Sequence, residues 1–282
     1  MAEKIAYLGP GGTFCEQAAR QYRGEKELDL LPLPSLRQVF QAVAAGDVCQ
    51  GIVPIENSYE GAVNQTLDLL TGDDDVKIAG EIILPVRQNL LIHPHSSGQK
   101  IDCILSHGQA LAQCQEYLHR HFPDVPVREV HSTAEAARMV ATSGETWAAV
   151  ATLTAAENYG LKVLAADIQD QSNNATRFVV LSRESTDCQS GGKTSLLVYV
   201  VDRPGALYEV LREFYIRGIN LCKIESRPAR TRIGEYLFFI DIEGSRQEEH
   251  VSQTLTALLK VAAEVRVLGS YPDSCYTGTF IV

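Results

Sequence analysis

The stretch Lys4-Ile5-Ala6-Tyr7-Leu8-Gly9-Pro10-Gly11-Gly12-Thr13-Phe14 combines a short apolar run with a glycine-rich turn. The apolar run predicts a strand, and the residues from Phe14 onward predict a short helix that begins directly after the turn. Residues 29–33 and 51–55 are also apolar, and a helical pattern that Ser35 opens separates them. This alternation predicts a βαβαβ unit, the building block of an α/β domain.

A second alternating block starts near residue 86. Its predicted elements, in chain order, are strand 101–106, helix 109–121, strand 125–130, helix 133–142 and strand 148–153. A further strand at 177–182 follows the polar loop 169–175, and we expect the chain to cross back to the first block there. The two blocks then form two lobes, and the cleft between them is the expected ligand site.

The rest of the chain predicts a second domain after a linker. Residues 184–193 are rich in Ser and Gly and lack hydrophobic periodicity. Beyond them, the pattern predicts a ferredoxin-like βαββαβ unit with strand 194–201, helix 206–217, strand 220–227, strand 236–242, helix 248–262 and strand 264–268. The predicted domains are 1–184, with lobe one about 1–80 plus 165–184 and lobe two about 81–164, and 194–272.

The composition is that of an ordinary globular protein, with 45% hydrophobic and 21% charged residues in a chain of 282. No apolar run approaches the roughly 20 residues that a membrane-spanning helix needs. The N-terminal apolar run is too short for a signal peptide. We therefore expect a cytoplasmic protein without a membrane partner.

The formal net charge is −10, and the acidic excess lies before residue 190. An acidic body without a basic stripe argues against a nucleic-acid partner, because neutralising phosphates supplies most of the affinity for nucleic acids. The seven cysteines are scattered and never spaced as C-x-x-C, so neither a disulfide framework nor a zinc site is predicted. Small molecules are the expected ligands, and neither a metal ion nor a cofactor is expected.

Polar residues follow the predicted strands of the first lobe. In residues 9–14 the backbone N–H groups of the turn suit an anion, and a carboxylate fits better than a dinucleotide because Phe14 breaks the G-x-G-x-x-G motif. Asn57 and Ser58 follow the third strand and suit a substrate carboxylate or hydroxyl. The alternative for these two residues is a turn that caps the next helix.

The second lobe has a comparable segment, Ser106-His107-Gly108-Gln109, between a strand and a helix. His107 is a candidate general acid or hydrogen-bond donor, with a helix cap as the alternative. In the returning strand, alternation places Thr176 and Phe178 on one face and Arg177 on the other, unless a bulge intervenes. We expect Thr176 to be a donor that lines the cleft and Phe178 to be an apolar wall.

Six segments together resemble the motif set of the monofunctional prephenate dehydratases. They are residues 9–16 (GPGGTFCE), 54–61 (PIENSYEG), 106–111 (SHGQAL), 176–178 (TRF), 205–211 (GALYEVL) and 225–228 (ESRP). They occur in the order of that family and extend over nearly the whole chain. One departure is Cys15, where the family usually has Ser or Thr.

This resemblance implies a two-lobed α/β catalytic domain similar to type II periplasmic binding proteins, followed by a ferredoxin-like regulatory ACT domain. Members of the family convert prephenate to phenylpyruvate, water and CO₂ without a cofactor, and L-phenylalanine typically inhibits them as an allosteric effector. The resemblance also implies a homodimer or tetramer that associates through ACT and catalytic domains.

The resemblance assigns roles to individual residues. It implies that Thr176 is the catalytic residue. The residues that we expect to bind the substrate are Thr13, Asn57, Ser58, Ser106, His107, Gln109, Arg177 and Phe178. The implied L-phenylalanine site comprises Gly205, Ala206, Leu207, Asn220, Leu221, Glu225, Ser226, Arg227 and Pro228.

The reaction of the family is compatible with these side chains. Prephenate becomes aromatic once hydroxide and CO₂ leave, so an enzyme needs mainly to orient it and to donate a hydrogen bond to the departing oxygen. We expect the Thr176 hydroxyl to donate this bond or to relay a proton through water. The alternatives are an arogenate dehydratase, which shares these motifs, and a non-catalytic amino-acid sensor.

Overall fold

The computed structural model describes residues 3–72, 75–96, 100–184, 190–228 and 236–273. The strands in these ranges form three sheets, two before residue 185 and one after residue 190. Within the predicted linker, residues 185–189 lie outside the described residues. None of the described helices has the length and apolar character needed to cross a membrane.

The first sheet has the strand order β2-β1-β3-β11-β5, and a short β4 pairs with β3. Its strands are β1 (Lys4–Leu8), β2 (Asp29–Leu33), β3 (Gln50–Asn57), β4 (Gly61–Ala62), β5 (Lys77–Pro85) and β11 (Ala175–Ser182). Its helices are α1 (Phe14–Arg23), α2 (Leu36–Ala45) and α3 (Asn64–Leu70). The predicted return of the chain is confirmed, because β11 lies antiparallel between β3 and β5.

The second sheet has the strand order β10-β6-β9-β7-β8. Its strands are β6 (Asn89–Ile92), β7 (Cys103–Ser106), β8 (Val127–Glu129), β9 (Trp147–Ala151) and β10 (Lys162–Ala165). Its helices are α4 (Gly108–Gln113), α5 (Gln115–His121), α6 (Thr133–Thr142) and α7 (Leu153–Tyr159). The two sheets form the two α/β lobes that the sequence predicts.

Two predicted elements of the second lobe need correction. The helix predicted at 109–121 is two helices, because the backbone leaves helical geometry at Cys114 (φ −119°, ψ 15°). The strand predicted at 148–153 ends at Ala151, since Thr152 begins a new helix instead. Its hydroxyl accepts a hydrogen bond from the N–H of Ala155, which is the usual way in which a threonine caps a helix.

Strand β5 is absent from the sequence prediction. Its run KIAGEIILP is buried along most of its length and shows no alternation between apolar and polar residues. A strand with both faces covered produces such a continuous apolar run, which periodicity alone does not identify. The predicted limit between the lobes, near residue 80, falls inside this strand, which belongs entirely to the first sheet.

The third sheet has the strand order β13-β14-β12-β15 and is antiparallel throughout. Its strands are β12 (Lys193–Val200), β13 (Leu221–Pro228), β14 (Tyr236–Glu243) and β15 (Glu264–Tyr271). Helices α8 (Ala206–Tyr215) and α9 (Glu249–Leu258) cover one face, where Val210, Phe214, Val251 and Leu258 are buried. The predicted βαββαβ order is confirmed.

The other face of the third sheet packs against the first lobe. Leu197, Phe239 and Tyr271 share one buried apolar cluster with Val39 and Val179 of the first lobe. Burying apolar surface between the domains stabilises their contact by about 25 cal/mol for each Å² removed from water. The C-terminal domain is therefore fixed to the back of the sheet that contains β3 and β11.

Gly269 lies where the backbones of the two domains approach each other closely. A Cβ atom built on Gly269 would lie 1.9 Å from the carbonyl oxygen of Ile78 in β5. We expect Gly269→Ala to lower the free energy of unfolding by about 1–3 kcal/mol, because the backbone of β5 is held by its pairing with β11 and does not move aside easily. Urea unfolding measures the change.

The matched control for this substitution is Gly144→Ala, because no heavy atom lies within 4 Å of a Cβ at that position. We expect the control to keep wild-type stability within about 0.5 kcal/mol, as most exposed substitutions do. Equal stability of the two variants would contradict the close approach of the domains at Gly269.

Candidate active site

The ends of β3 and β11 bring two polar segments of the sequence together. Antiparallel pairing places Thr176 opposite Asn57 and Arg177 opposite Glu56. The register therefore fixes which side chains meet, although more than a hundred residues separate the two strands along the chain. The side chain of Thr176 is half-buried.

The Asn57 amide holds Thr176 in a defined hydrogen-bonding state. Asn57 Oδ1 accepts hydrogen bonds from the backbone N–H groups of Tyr59 (2.9 Å) and Glu60 (3.1 Å). This fixes the orientation of the amide, so Nδ2 faces Thr176 and donates to its Oγ1 at 2.8 Å. The Thr176 oxygen is thus an acceptor from Asn57, and no acceptor among the described residues binds the Thr176 proton.

Ser58 and Asn174 complete this cluster. Asn57 Nδ2 and Ser58 Oγ both donate to Asn174 Oδ1, at 3.0 and 3.1 Å, and Ser58 Oγ accepts from the N–H of Ala175 at 2.9 Å. Asn174 is only 4% exposed. Asn57 closes a local turn, as the alternative prediction expected in part, but neither Asn57 nor Ser58 caps the next helix, whose N-cap Val63 has no side-chain hydrogen bond. Substrate binding by Asn57 and Ser58 stays a prediction.

A cavity of about 360 Å³ lies between the lobes next to this cluster. It is lined by Tyr59, Glu60, Gln109, Ala112, Gln113, Glu116, Gln169, Asp170, Gln171 and Asn174. Both lobes and the crossing segment contribute to this lining, and most of the polar groups are amides or carboxylates. The Tyr59 hydroxyl bonds to Gln171 and Asn173 and so links the first lobe to the crossing segment.

The residues of the predicted segment 106–109 lie in different surroundings in the structure. Gln109 lines the cavity. Ser106 is fully buried instead, and its hydroxyl donates to the carbonyl of Val150 at 2.6 Å within the second sheet. His107 is exposed at the start of α4, where its side chain makes no capping hydrogen bond.

The glycine-rich turn at residues 9–13 does contact a carboxylate, but one that belongs to the protein. The N–H of Gly12 donates to Glu16 Oε2 at 2.6 Å. Thr13 caps α1, because its hydroxyl accepts from the N–H of Glu16 and donates to the carbonyl of Pro10. The anion-binding geometry predicted for this turn is therefore occupied in part by Glu16.

The same turn contacts the second lobe. The Thr152 hydroxyl donates to the Gly12 carbonyl at 2.7 Å, and Asn158 donates to Glu16 at 2.7 Å. Beside these contacts a second cavity between the lobes, of about 520 Å³, is lined by Leu8, Gly9, Pro10, Thr13, Cys15, His131, Ser132, Glu135, Arg138 and Tyr159. Arg138 provides positive charge at this end of the cleft.

Thr176, which was expected to line the cleft, is not among the lining residues of either cavity, and neither are Arg177 and Phe178. A bulge between them shifts the pairing with β3, so that Arg177 lies opposite Glu56 and Phe178 opposite Pro54. Phe178 is 1% exposed and packs in the core of the first lobe rather than forming a wall of the cleft. Arg177 is buried behind the sheet, where it bonds to the C-terminal domain.

Arg177 belongs to a network of charges between the two domains. Its guanidinium bonds to Glu81 (2.7 Å), Glu56 (3.1 Å) and Asp241 of β14 (2.6 Å). Burial would lower the pKa of Arg177, but the surrounding anionic groups, Asp241 first, outweigh this and raise it. Burial would likewise raise the pKa of Glu56, but the hydrogen bonds and charges of Lys223 and Arg177 lower it below 4.5.

The residues predicted to bind an effector lie in α8, β13 and the segments before them. Gly205 precedes α8 with a left-handed φ of 83°, which glycine adopts without strain. In β13 the predicted alternation is present, because Glu225 and Arg227 are half-buried and Ser226 is exposed. Arg227 donates to Asp68 of α3 at 2.8 Å, so this side of β13 faces the first lobe.

Comparison with known proteins identifies the family of the chain. A family model described as prephenate dehydratase matches residues 5–186, and one described as ACT domain matches residues 194–260. The chain belongs to the prephenate dehydratase family. This confirms the resemblance found in the sequence and the two-lobed fold with a C-terminal ACT domain.

The relatives of this prephenate dehydratase extend over its length. The prephenate dehydratase of Bacillus subtilis is 39% identical and is aligned over 95% of this chain and 98% of its own. The bifunctional chorismate mutase/prephenate dehydratase of Aquifex aeolicus is 44% identical over 96% of this chain and 74% of its own. The structure of Arthrobacter aurescens prephenate dehydratase in complex with L-Phe is 33% identical, with a TM-score of 0.88, over 99% of this chain and 93% of its own.

Several residues of the dehydratase cleft are absent from the sequence prediction. Asn174 is one of them. Its place in the polar loop, two residues before Thr176, is a sequence feature that could have identified it as a site residue. Tyr59 and Gln113 line the first cavity, and Arg138 lines the second. These three resemble ordinary surface residues in sequence, and only the packing of the lobes brings them to the cleft.

The lowered pKa of Glu56 predicts how its contribution depends on pH. A carboxyl whose pKa is lower in the folded state stabilises the fold above its ordinary pKa of 4.5 and loses that effect as pH falls through its folded value. We therefore expect the difference in free energy of unfolding between wild type and Glu56→Gln to be largest near pH 7 and to shrink below pH 4.5. Denaturant unfolding at pH 7, 5, 4 and 3 measures it. A difference that stays constant down to pH 3 would contradict the ion pairs of Glu56.

Proposed function

We propose that this dehydratase converts prephenate to phenylpyruvate, water and CO₂ in its interlobe cleft and that Thr176 is the catalytic residue. The observation that carries this assignment is the hydrogen bond from Asn57 Nδ2 to Thr176 Oγ1. Because the threonine oxygen accepts from Asn57, its own proton is available to a substrate. The hydroxyl can then donate to the oxygen that leaves the ring.

The reaction requires little more than orientation and this donor. The ring carboxylate leaves as CO₂, and the electron pair of the broken C–C bond forms a ring double bond as the C–O bond to the hydroxyl breaks. The departing hydroxide takes up one proton and becomes water. A threonine hydroxyl is too weak an acid to ionise near neutral pH, so Thr176 stabilises the departing oxygen by hydrogen bonding or passes a proton on from water.

The two carboxylates of prephenate need partners in the cleft. Thr13 and Arg138, in the 520 Å³ cavity, offer a hydroxyl and a positive charge from opposite lobes. Gln109, in the 360 Å³ cavity, offers an amide donor. Groups from both lobes that bind one substrate hold the lobes together around it, which favours a fixed orientation of the reacting bonds.

Kinetics of Thr176 and Asn57 variants test this role. We expect Thr176→Ala to lower kcat by about 100-fold or more with little change in KM, because the lost bond acts mainly in the transition state. Asn57→Asp keeps the acceptor for Tyr59 and Glu60 but turns the donor into an acceptor, which draws the Thr176 proton away from the substrate. We expect a similar loss of kcat from this nearly isosteric change.

The matched control is Asn64→Asp on α3, which makes the same chemical change outside the cleft. Asn64 Oδ1 accepts from Arg227, and an aspartate keeps that bond. We expect this control to retain wild-type kcat within about twofold. Wild-type kcat in Thr176→Ala would refute the catalytic assignment.

Arogenate is a second candidate substrate, and one observation favours it. Glu60, Glu116 and Asp170 line the 360 Å³ cavity, and carboxylates suit the ammonium group that arogenate carries in place of a keto group. Incubation with each substrate, followed by measurement of phenylpyruvate and phenylalanine, separates the two dehydratases. Turnover of neither substrate would leave an amino-acid sensor as the remaining function.

L-phenylalanine is the proposed allosteric effector of this dehydratase, at a site between paired ACT domains of a homodimer or tetramer. Gly205 and Leu207 at the start of α8 offer backbone N–H groups to its carboxylate, whereas the N–H of Ala206 donates to the Arg203 carbonyl at 3.2 Å. The position of β13 at the edge of the third sheet supports pairing with a second copy, and exposed Ser226 lies on this strand. Arg227 and Glu225, which point to the first lobe, contribute less directly.

Calorimetry tests this regulation. We expect L-phenylalanine to bind the full-length protein and to lower its turnover of prephenate. Because linkage is reciprocal, a bound substrate analogue should weaken the binding of phenylalanine by the same factor by which phenylalanine weakens the binding of the analogue. The absence of binding heat together with unchanged turnover would contradict the regulatory proposal and leave the catalytic one intact.

A further inference from the structure

Behind the hydrogen-bonded pair of Asn57 and Thr176, on the other face of the sheet, lies a second pair of side chains. Thr176 and Arg177 are neighbours in β11, and Asn57 and Glu56 are neighbours in β3. Successive side chains of a strand point to opposite faces of a sheet. The Asn57–Thr176 hydrogen bond therefore lies in front of a Glu56–Arg177 ion pair, in which the two charged groups are 3.1 Å apart.

The C-terminal ACT domain forms half of the binding site for the Arg177 guanidinium. Asp241 Oδ2 binds Nη1 at 2.6 Å, and the Tyr271 hydroxyl accepts from Nη2 at 2.9 Å. Ser195 in turn donates to Asp241 at 2.6 Å and lies 2.8 Å from the Tyr271 hydroxyl. All of these side chains are buried, so water does not compete for the bonds.

Lysines of the ACT domain reach the same catalytic strands. Lys223 of β13 bonds to Glu56, and Lys193 of β12 bonds to Glu81 at 2.7 Å. Together with Arg177 and Asp241, these residues place three cations against three anions between the domains. A buried network of this kind is tolerated because every charge is paired, whereas removal of one partner leaves another charge unpaired.

We propose that Arg177 is a positioning residue for Thr176 and that the ACT domain, through Asp241, helps to set the direction of the catalytic hydroxyl. A guanidinium has donors in a rigid planar arrangement, and here four partners from two domains hold it. One peptide unit connects it to Thr176. A displacement of Asp241 therefore shifts the backbone that aims Thr176 at the substrate. The inference rests on the proposed catalytic role of Thr176.

A double-mutant cycle tests this proposal without any effector. Arg177→Lys and Asp241→Asn are each made in the wild-type and in the Thr176→Ala background, and kcat and KM for prephenate are measured. If the two residues act through Thr176, each should lower kcat by about 10-fold in the wild type, with KM changed less than threefold. In the Thr176→Ala background the same changes should leave kcat nearly unaltered, because there is no hydroxyl left to misplace.

A merely structural role would give a different result. It would lower kcat by the same factor in both backgrounds, and this outcome overturns the positioning proposal alone. Wild-type kcat in Thr176→Ala overturns the proposed catalytic role and the positioning role with it. Ser195→Ala, which removes only one support of Asp241, replaces the stronger variants if thermal unfolding reveals that they do not fold.

The matched control is Asp68→Asn, which weakens another ion pair between the domains. Asp68 lies on α3, away from the strand that contains Thr176, and its carboxylate is 2.8 Å from the Arg227 guanidinium. We expect this variant to keep wild-type kcat within about twofold. A loss of kcat as large as that of Asp241→Asn would mean that any loosening of the ACT domain affects catalysis, and it would overturn the specific role of Arg177.

Discussion

The insertion of β11 between β3 and β5 is the constraint on which the site depends. The chain leaves the first lobe after β5, forms the whole second lobe and then returns to the first sheet as β11. The cleft lies between the two lobes that this path connects. The backbone hydrogen bonds of two neighbours fix the register of β11. A slip of one residue would move Thr176 and Arg177 to the opposite faces of the sheet and place the guanidinium beside Asn57.

The same strand explains why catalytic and regulatory domains form one structure. On one face of the sheet Thr176 accepts a hydrogen bond from Asn57, and on the other face Arg177 bonds to Asp241 of the ACT domain. Charges are costly to bury, and this interface tolerates them because carboxylates and cations of both domains are paired. Apolar contacts of residues such as Leu197 and Phe239 stabilise the association of the two domains, while the ion pairs determine their relative position.

Much of the fold follows from local patterns in the sequence. Short local patterns predict the glycine-rich turn, the Ser35 helix cap and the βαββαβ order, and all three are present in the structure. Strand β5 escaped prediction because burial on both faces removes the alternation that identifies a strand. Alternation along the strand predicts that Arg177 lies on the face opposite Thr176, and the structure confirms it. The ion pair of Arg177 with Asp241 of another domain has no local signal in the sequence. Asn57 and Thr176 were predictable as candidates, but their hydrogen bond depends on long-range register.

Neutron diffraction on perdeuterated protein with an unreactive prephenate analogue in the cleft locates the deuterium of the Thr176 hydroxyl. We expect a deuterium of Asn57 Nδ2 to be directed at Thr176 Oγ1 and the deuterium of the Thr176 hydroxyl to be directed at the analogue oxygen that corresponds to the leaving group. A Thr176 deuterium directed at Asn57, with Asn57 Oδ1 as its acceptor, would show that Thr176 does not donate to the substrate.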